Sequence, residues 1–228
     1  LKRVGFQPGF LDDAGFERGD FTRAPALLLS RCYQMDPRQL AAIAQRVLPA
    51  GVHVHANADL PGQFTAYHQR NPDWPDLMRS VFGLDVTRAA AAWDAGALRF
   101  DTTRDYGSLA FAGVGSLGPF DPQYRAALRT WKIVEGVTAV RGTTLIQHSG
   151  LNGARSLSPV PALHLDDLGT AKVALNTFAL GDSVSATQDP GGAWDLRYDW
   201  LRAIYRDHFG LVPVLEVTGS AGAKCGSP

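Results

Sequence analysis

The sequence predicts an α+β fold, a helical N-terminal part packed on a β-rich C-terminal part, and three observations carry that expectation. A capped amphipathic helix signal opens at Asp36-Pro37. The β-branched run Val137–Gln147 has strand character, with a turn at Arg141-Gly142. The chain also holds 24 glycines and 14 prolines, which suits β or α+β structure better than a helical bundle. At 228 residues and 45% hydrophobic it can bury a substantial core. We expect one globular domain over 1–228, helix-rich at about 25–96 and β-rich at about 97–219.

Taken in order, Leu1–Pro25 repeats glycine beside phenylalanine (Gly5-Phe6, Gly9-Phe10, Gly15-Phe16) and reads as an extended segment pegged by its rings. Ala26–Met35 is apolar and fits a short helix or a buried strand. Asp36 caps a helix with Pro37 at its first position, where a missing N–H costs nothing. Leu40, Ile43, Ala44, Val47 and Leu48 form its apolar stripe, and Pro49-Ala50-Gly51 stops it. Gly51–Ala56 reads as a strand. Helices are expected after Asp59-Leu60-Pro61 through His68, over Asp76–Phe82, and over the Ala-rich Val86–Asp94.

From Ala97 the texture turns to strand and glycine-bearing loop. Leu98–Asp101 reads as a strand, Tyr106–Phe120 as glycine-rich and Tyr124–Trp131 as a short helix. Val137–Gln147 is the strand-turn region, Gly150–Pro161 a loop, and Ala171–Thr187 fits helix or strand. Val212–Thr218 closes the chain as a strand.

Formal net charge is zero and no Lys/Arg run is present, so no nucleic-acid partner is predicted. No apolar run approaches the ~20 residues of a membrane span. There is no signal peptide, and a start at Leu1 points to a processed or excised chain. Cys32 and Cys225 fit either a disulfide or two thiols.

Val52-His53-Val54-His55 sets two imidazoles on one face of a strand, because side chains alternate with period two. Such a pair can share a metal, and His148 and His164 each stand at the end of an apolar segment. The set His53, His55, His148 and His164 resembles the ligand layout of metal-dependent amidohydrolases, which implies a His-ligated metallohydrolase. The same stretch resembles the cyclase/formamidase pattern at His53, Asp59 and Pro61, with Asn57 and Gln63 where that pattern has histidines.

Arg141-Gly142-Thr143-Thr144 resembles the first catalytic strand of ADP-ribosyltransferases, with Ser156, Ser158 and Glu216 at the later places and Val214 where a second acid belongs. Gly107–Gly118 has neither the terminal Gly-Lys-Ser/Thr of a phosphate loop nor a dinucleotide fingerprint.

Trp194–Gly210 is the best-patterned stretch. Trp194, Leu196, Tyr198 and Trp200 alternate with Asp195, Arg197 and Asp199; then Leu201, Ile204, Tyr205 and His208 follow helical spacing up to Gly210. Two carboxylates and a histidine can hold a divalent cation or do acid/base work on a phosphate ester.

The segment is similar to the signature of colicin M-type toxins, D-x-Y-D followed by His-Arg. Tyr198 and Asp199 match its Tyr-Asp, Asp195 stands one place early, and His208 comes late with Arg206 before it. The resemblance implies a secreted or delivered bacterial effector that hydrolyses a phosphate-containing cell-envelope substrate. Asp195, Tyr198, Asp199 and His208 would be catalytic, with a divalent cation as helper. A non-catalytic interaction or structural module, with a protein partner, is the alternative that the lack of any complete motif supports.

Overall fold

The computed structural model describes residues 1, 4–30, 32, 34–57, 61–65, 67, 69–86, 94–100, 116–117, 137–152, 155–156, 160–176 and 201–214; for 94–100, 116–117, 146, 148–152, 155–156, 160 and 162 it gives the backbone alone. The N-terminal segment is not simply extended. The Asp12 carboxylate accepts the Gly15 N–H at 2.7 Å and starts α1 (Asp13–Arg18), which Gly19 ends at φ 87°. A 3-10 turn, Asp20–Arg23, follows. Phe16 and Phe21 are buried pegs with rings 5.4 Å apart, whereas Phe10 lies 95% exposed.

Ala26–Ser30 resolves as strand β1. Helix α2 (Pro37–Ala42) starts as its sequence dictates, with the Asp36 side chain accepting the Arg38 N–H at 2.8 Å. It then widens into a π-turn over Ile43–Val47. Leu40, Ile43, Val47 and Leu48 are buried. β2 (His53–Asn57) comes next. The helix expected after Pro61 is absent among the described residues: Phe64 instead bridges to Gln34 and Arg70, and the Thr65 N–H bonds the Gln69 carbonyl. Asn71-Pro72-Asp73-Trp74-Pro75 opens α3 (Trp74–Phe82) two residues ahead of its expected start, because Pro75 fits the first turn.

The later strands are β3 (Leu84–Val86), β4 (Asp94–Phe100), β5 (Ser116–Leu117), β6 (Val137–Ala139), β7 (Thr143–Asn152), β8 (Arg155–Ser156), β9 (Val160–Asp167) and β10 (Lys172–Asn176). The Ala-rich helix expected over Val86–Asp94 falls mainly on residues outside the described set, and its two end residues are strand. Gly150–Pro161, expected as a loop, supplies the end of β7, β8 and the start of β9. The last helix, α4 (Ala203–His208), is wound as a π-helix, and Gly210 follows at φ 73°. Leu211–Val214 is not strand, and the remainder of Val212–Thr218 lies outside the described residues. So do the expected helix Tyr124–Trp131 and all of Tyr106–Phe120 except Ser116 and Leu117.

Both helices and a mixed sheet are present. The main sheet runs β1-β2-β10-β9-β7-β4-β5, with β8 beside β7, and β3 pairs with β6 separately. β1, β2 and β10 are parallel, and the pairings from β10 onward are antiparallel. Strands from the first quarter of the chain therefore lie directly against strands of its last part.

Register assigns the faces. Leu28, His55, Ala174 and Leu165 form one row; Leu29, Ala56, Leu175 and His164 form the next. Side chains alternate, so the two rows face opposite ways. The face of Leu29, Val54, Ala56, Val173 and Leu175 packs with α1, α2 and α3 into the main core, around Leu40, Ile43, Met78, Val81 and Phe82. Complete burial of a side chain such as Ile43 or Phe82 contributes about 1.5–3 kcal/mol. The opposite face presents His53 and His55 to α4, through Phe209 and Tyr205.

Candidate functional site

The row Ser30–Asn57–Asn176 stands at the carboxyl ends of three parallel strands, the edge at which open α/β sheets hold ligands. Beneath it lies a continuous chain of side-chain hydrogen bonds. The Asn57 amide donates to the Ser30 hydroxyl at 3.3 Å, and the Asn176 amide donates to Asn57 Oδ1 at 2.6 Å. That orientation turns Asn176 Oδ1 toward His55, so His55 Nε2 carries the proton and donates to it. His55 Nδ1 is then the acceptor for the Tyr205 hydroxyl, 3.0 Å away. The bonds follow one another in a single donor-to-acceptor sense, from Tyr205 on α4 through His55, Asn176 and Asn57 to Ser30 on the edge strand.

His55 and Asn176 are buried and Ser30 is exposed. Burial holds the His55 imidazole down at about pKa 4, against the opposing hydrogen bond to Asn176. Burial also pushes the Tyr205 phenol upward. The arrangement fixes a neutral imidazole between two strands and a helix. The titratable neighbour of that imidazole is the Tyr205 phenol, which the same burial keeps protonated.

His53 lies one turn of the pleat away. Its Nδ1 accepts the Lys172 N–H at 3.0 Å, and its ring stacks on Phe209 at 4.9 Å. Desolvation lowers its pKa first, followed by the nearby Lys172 charge. His208, on α4, turns Nε2 to the carbonyl oxygens of Asp166 and Val173, at 3.1 and 3.0 Å. Burial lowers its pKa as well. His208 thus clamps the helix across β9 and β10.

His164 belongs to the other face. Its Nδ1 lies 2.9 Å from the Thr144 hydroxyl, its Nε2 has no hydrogen-bond partner, and burial lowers its pKa to about 4. The expectation that His53, His55, His148 and His164 converge on one metal is therefore corrected. His55 and His164 occupy adjacent register rows and so face opposite sides of the sheet. His148 sits on β7, where the backbone alone is described. Among the described residues no three His, Cys, Asp or Glu side chains gather closely enough to hold a metal ion.

Arg141 stands between β6 and β7. Its Nε donates to Asp166 Oδ2 at 2.5 Å, and its Nη2 donates to the Ser80 carbonyl at 3.0 Å. It ties the end of α3 to β9. Gly142 follows at φ 77°, with room for no Cβ: one built there would lie 2.5 Å from the Leu165 carbonyl oxygen. Asp195, Tyr198 and Asp199 lie outside the described residues, as do Ser158, Glu216 and Cys225. No helix of the described residues is long and apolar enough to cross a membrane.

No protein-family model matches the chain, and no curated protein matches it. Its fold does match solved structures. Gan42B, a GH42 beta-galactosidase, aligns with a TM-score of 0.55 and 13% identity, over 86% of this chain and 23% of that one. A catalytic mutant of Gan42B, from G. stearothermophilus, aligns equally well, over 87% of this chain. A beta-galactosidase from Bacillus circulans sp. alkalophilus gives 0.53 and 14%, over 86% of this chain and 24% of that one. The chain spans about a quarter of the length of these proteins. At such identities the likeness is one of fold.

Sequence reasoning named His55 and His208 but missed Asn176, Asn57 and Tyr205 as their partners. The signal for Asn57 was its place where the cyclase pattern has a histidine, two residues beyond His55 on the same face. Tyr205 was visible only as one member of a helical stripe.

Proposed function

We propose that this chain is a non-catalytic structural or interaction module that accompanies a catalytic domain, of the glycoside-acting kind, in a longer protein. The observation that carries this reading is the inward commitment of its histidines: His55 and His208 are buried and bonded within the fold, and His53 bonds the Lys172 backbone. The fold match supports it, since nearly the whole chain corresponds to a minor share of each beta-galactosidase. In this reading a helix-bearing N-terminal part packs on a β-rich C-terminal part within one domain, and the partner is protein.

The test is an assay of the purified chain with a nitrophenyl β-galactoside and with a lipid-linked peptidoglycan precursor, alongside elemental analysis. No turnover and no stoichiometric metal are expected. Turnover that Asp199→Ala abolishes, or one metal ion per chain, would overturn the proposal.

The second reading is the secreted or delivered effector hydrolase, in which Asp195, Tyr198, Asp199 and His208 act on a cell-envelope phosphate with a divalent cation. It has one structural support: His208 keeps Nδ1 for chemistry, because its backbone clamp uses Nε2. It requires Asp199→Ala and His208→Ala to lose activity at unchanged thermal stability.

A further inference from the structure

Helix α4 covers its face of the sheet through three imidazoles, and two of them make bonds that only a neutral ring can make. His53 Nδ1 accepts the Lys172 N–H, so a proton there would set two N–H donors against each other. His55 Nδ1 accepts the Tyr205 hydroxyl while its Nε2 donates to Asn176; protonation leaves the Tyr205 hydroxyl hydrogen without that acceptor in a buried site. The third, His208, can keep donating to its two carbonyls, but its charge would be buried with it.

The layer they fasten is thin. Ala203, Ile204, Tyr205 and Phe209 are buried, yet none belongs to the main core, which lies with α1, α2 and α3 on the opposite face. Phe6 packs its ring 5.4 Å from Tyr205, and the Val214 N–H bonds the Gly5 carbonyl, so the N-terminal segment rests on the same helix.

We propose that α4 is a pH-operated latch. Protonation of His53, His55 and His208 releases α4, with the segment around Phe6, from the sheet while the α1–α3 layer stays folded.

The surrounding charges set its poise. Lys172 on β10 opposes protonation of His53 and His208, and the Leu1 amino group opposes that of His55. Asp167 on β9 favours charging of His53 and His208. The Asp166 carboxylate is held by Arg141, and on α4 itself Asp207 pairs with Arg206. All three histidines are lowered in the latched state, so the unlatched state binds more protons. The latch is fully closed above the ordinary histidine pKa of about 6.5 and opens as pH falls below it.

The test is hydrogen–deuterium exchange on the full chain at pH 7.5 and pH 5.0, corrected for intrinsic exchange. One imidazole gives at most about thirtyfold over that range, and three give more. We expect protection of 201–209 to fall tenfold or more and to remain well below that of Trp74–Phe82, which is lost only when the whole chain unfolds. A smaller fall, or a single common protection for 201–209 and Trp74–Phe82 at pH 5.0, overturns the latch. Imidazole Cε1 proton shifts are followed on the same samples. Rings that titrate together with the loss of protection support the assignment, and rings that stay neutral while α4 opens refute it.

Discussion

His55 on β2 donates its Nε2 proton to the side-chain oxygen of Asn176 on β10, a bond between adjacent parallel strands with both residues buried. The same amide donates onward to Asn57, so Asn176 alone satisfies a donor on one side and an acceptor on the other. Asn176→Leu keeps the branched shape and removes both bonds. We expect a loss of about 2–4 kcal/mol in urea unfolding, since each buried polar group left unpaired costs about 1–3 kcal/mol. Asn176→Asp should instead lift the His55 pKa from about 4, because a carboxylate beside the ring favours its charged form. Proton NMR titration of the imidazole reads that shift directly.

Stability should fall in mild acid for a reason that includes both faces of the sheet. His55 and His164 each sit at about pKa 4 in the folded chain, and His53 and His208 are lowered too. Folding therefore excludes protons that the unfolded chain binds. The stability is complete above about pH 6.5, declines as pH falls, and stops declining through His55 near pH 4. The displacement of His55 from 6.5 to about 4 amounts to roughly 3 kcal/mol. Denaturant midpoints measured from pH 7.5 to 4.5 should show this slope, and His55→Gln should make it shallower. A flat profile would contradict the buried neutral histidines.

The Arg141–Asp166 pair should matter more than its surface position suggests. Arg141 is 43% exposed, but the carboxylate it holds is 4% exposed. Removing the guanidinium leaves that carboxylate uncompensated and takes a donor from the Ser80 carbonyl at the end of α3. Arg141→Ala should cost about 2–4 kcal/mol, with Arg141→Lys recovering only part, because one ammonium cannot reproduce both contacts. Gly142→Ala next to it should cost a comparable amount, from its φ of 77° and the 2.5 Å approach to the Leu165 carbonyl oxygen. Thermal unfolding of the three variants checks the order.

What could be read from the chain was what depends on near neighbours. The Asp36 cap, the Pro37 start and the stripe through Leu48 are written within thirteen residues, and the structure keeps them. Gly210 after the last helix and the turn at Arg141-Gly142 are local in the same sense. The misread stretches were decided from afar. Phe64 is drawn into bridges with Gln34 and Arg70, against the helix signal at Asp59-Leu60-Pro61. His55 shows a metal-like spacing with His53, but its partners Tyr205 and Asn176 lie 150 and 121 residues away. A period-two pattern gives the face of a strand and not what covers that face. For that reason His53 and His55 were correctly placed side by side, and His164 was wrongly expected to join them.

His208 separates the two functional readings most sharply, because each gives it a different task. As a clamp it donates to the carbonyls of Asp166 and Val173, and His208→Ala should cost about 2–4 kcal/mol through a lost charge-free donor and an emptied site. His208→Gln, which retains an N–H donor, should recover part of that loss. As a catalytic base, His208 would work through Nδ1, and His208→Gln would be as inactive as His208→Ala at nearly unchanged stability. Melting temperatures of both variants, set beside turnover of a phosphate-containing envelope precursor, decide the matter. We expect the order of stability to be wild type, His208→Gln, His208→Ala, with no turnover in any of the three. Full stability in His208→Ala would remove the clamp and return His208 to the acidic stretch Asp195–Asp199 as a candidate for chemistry.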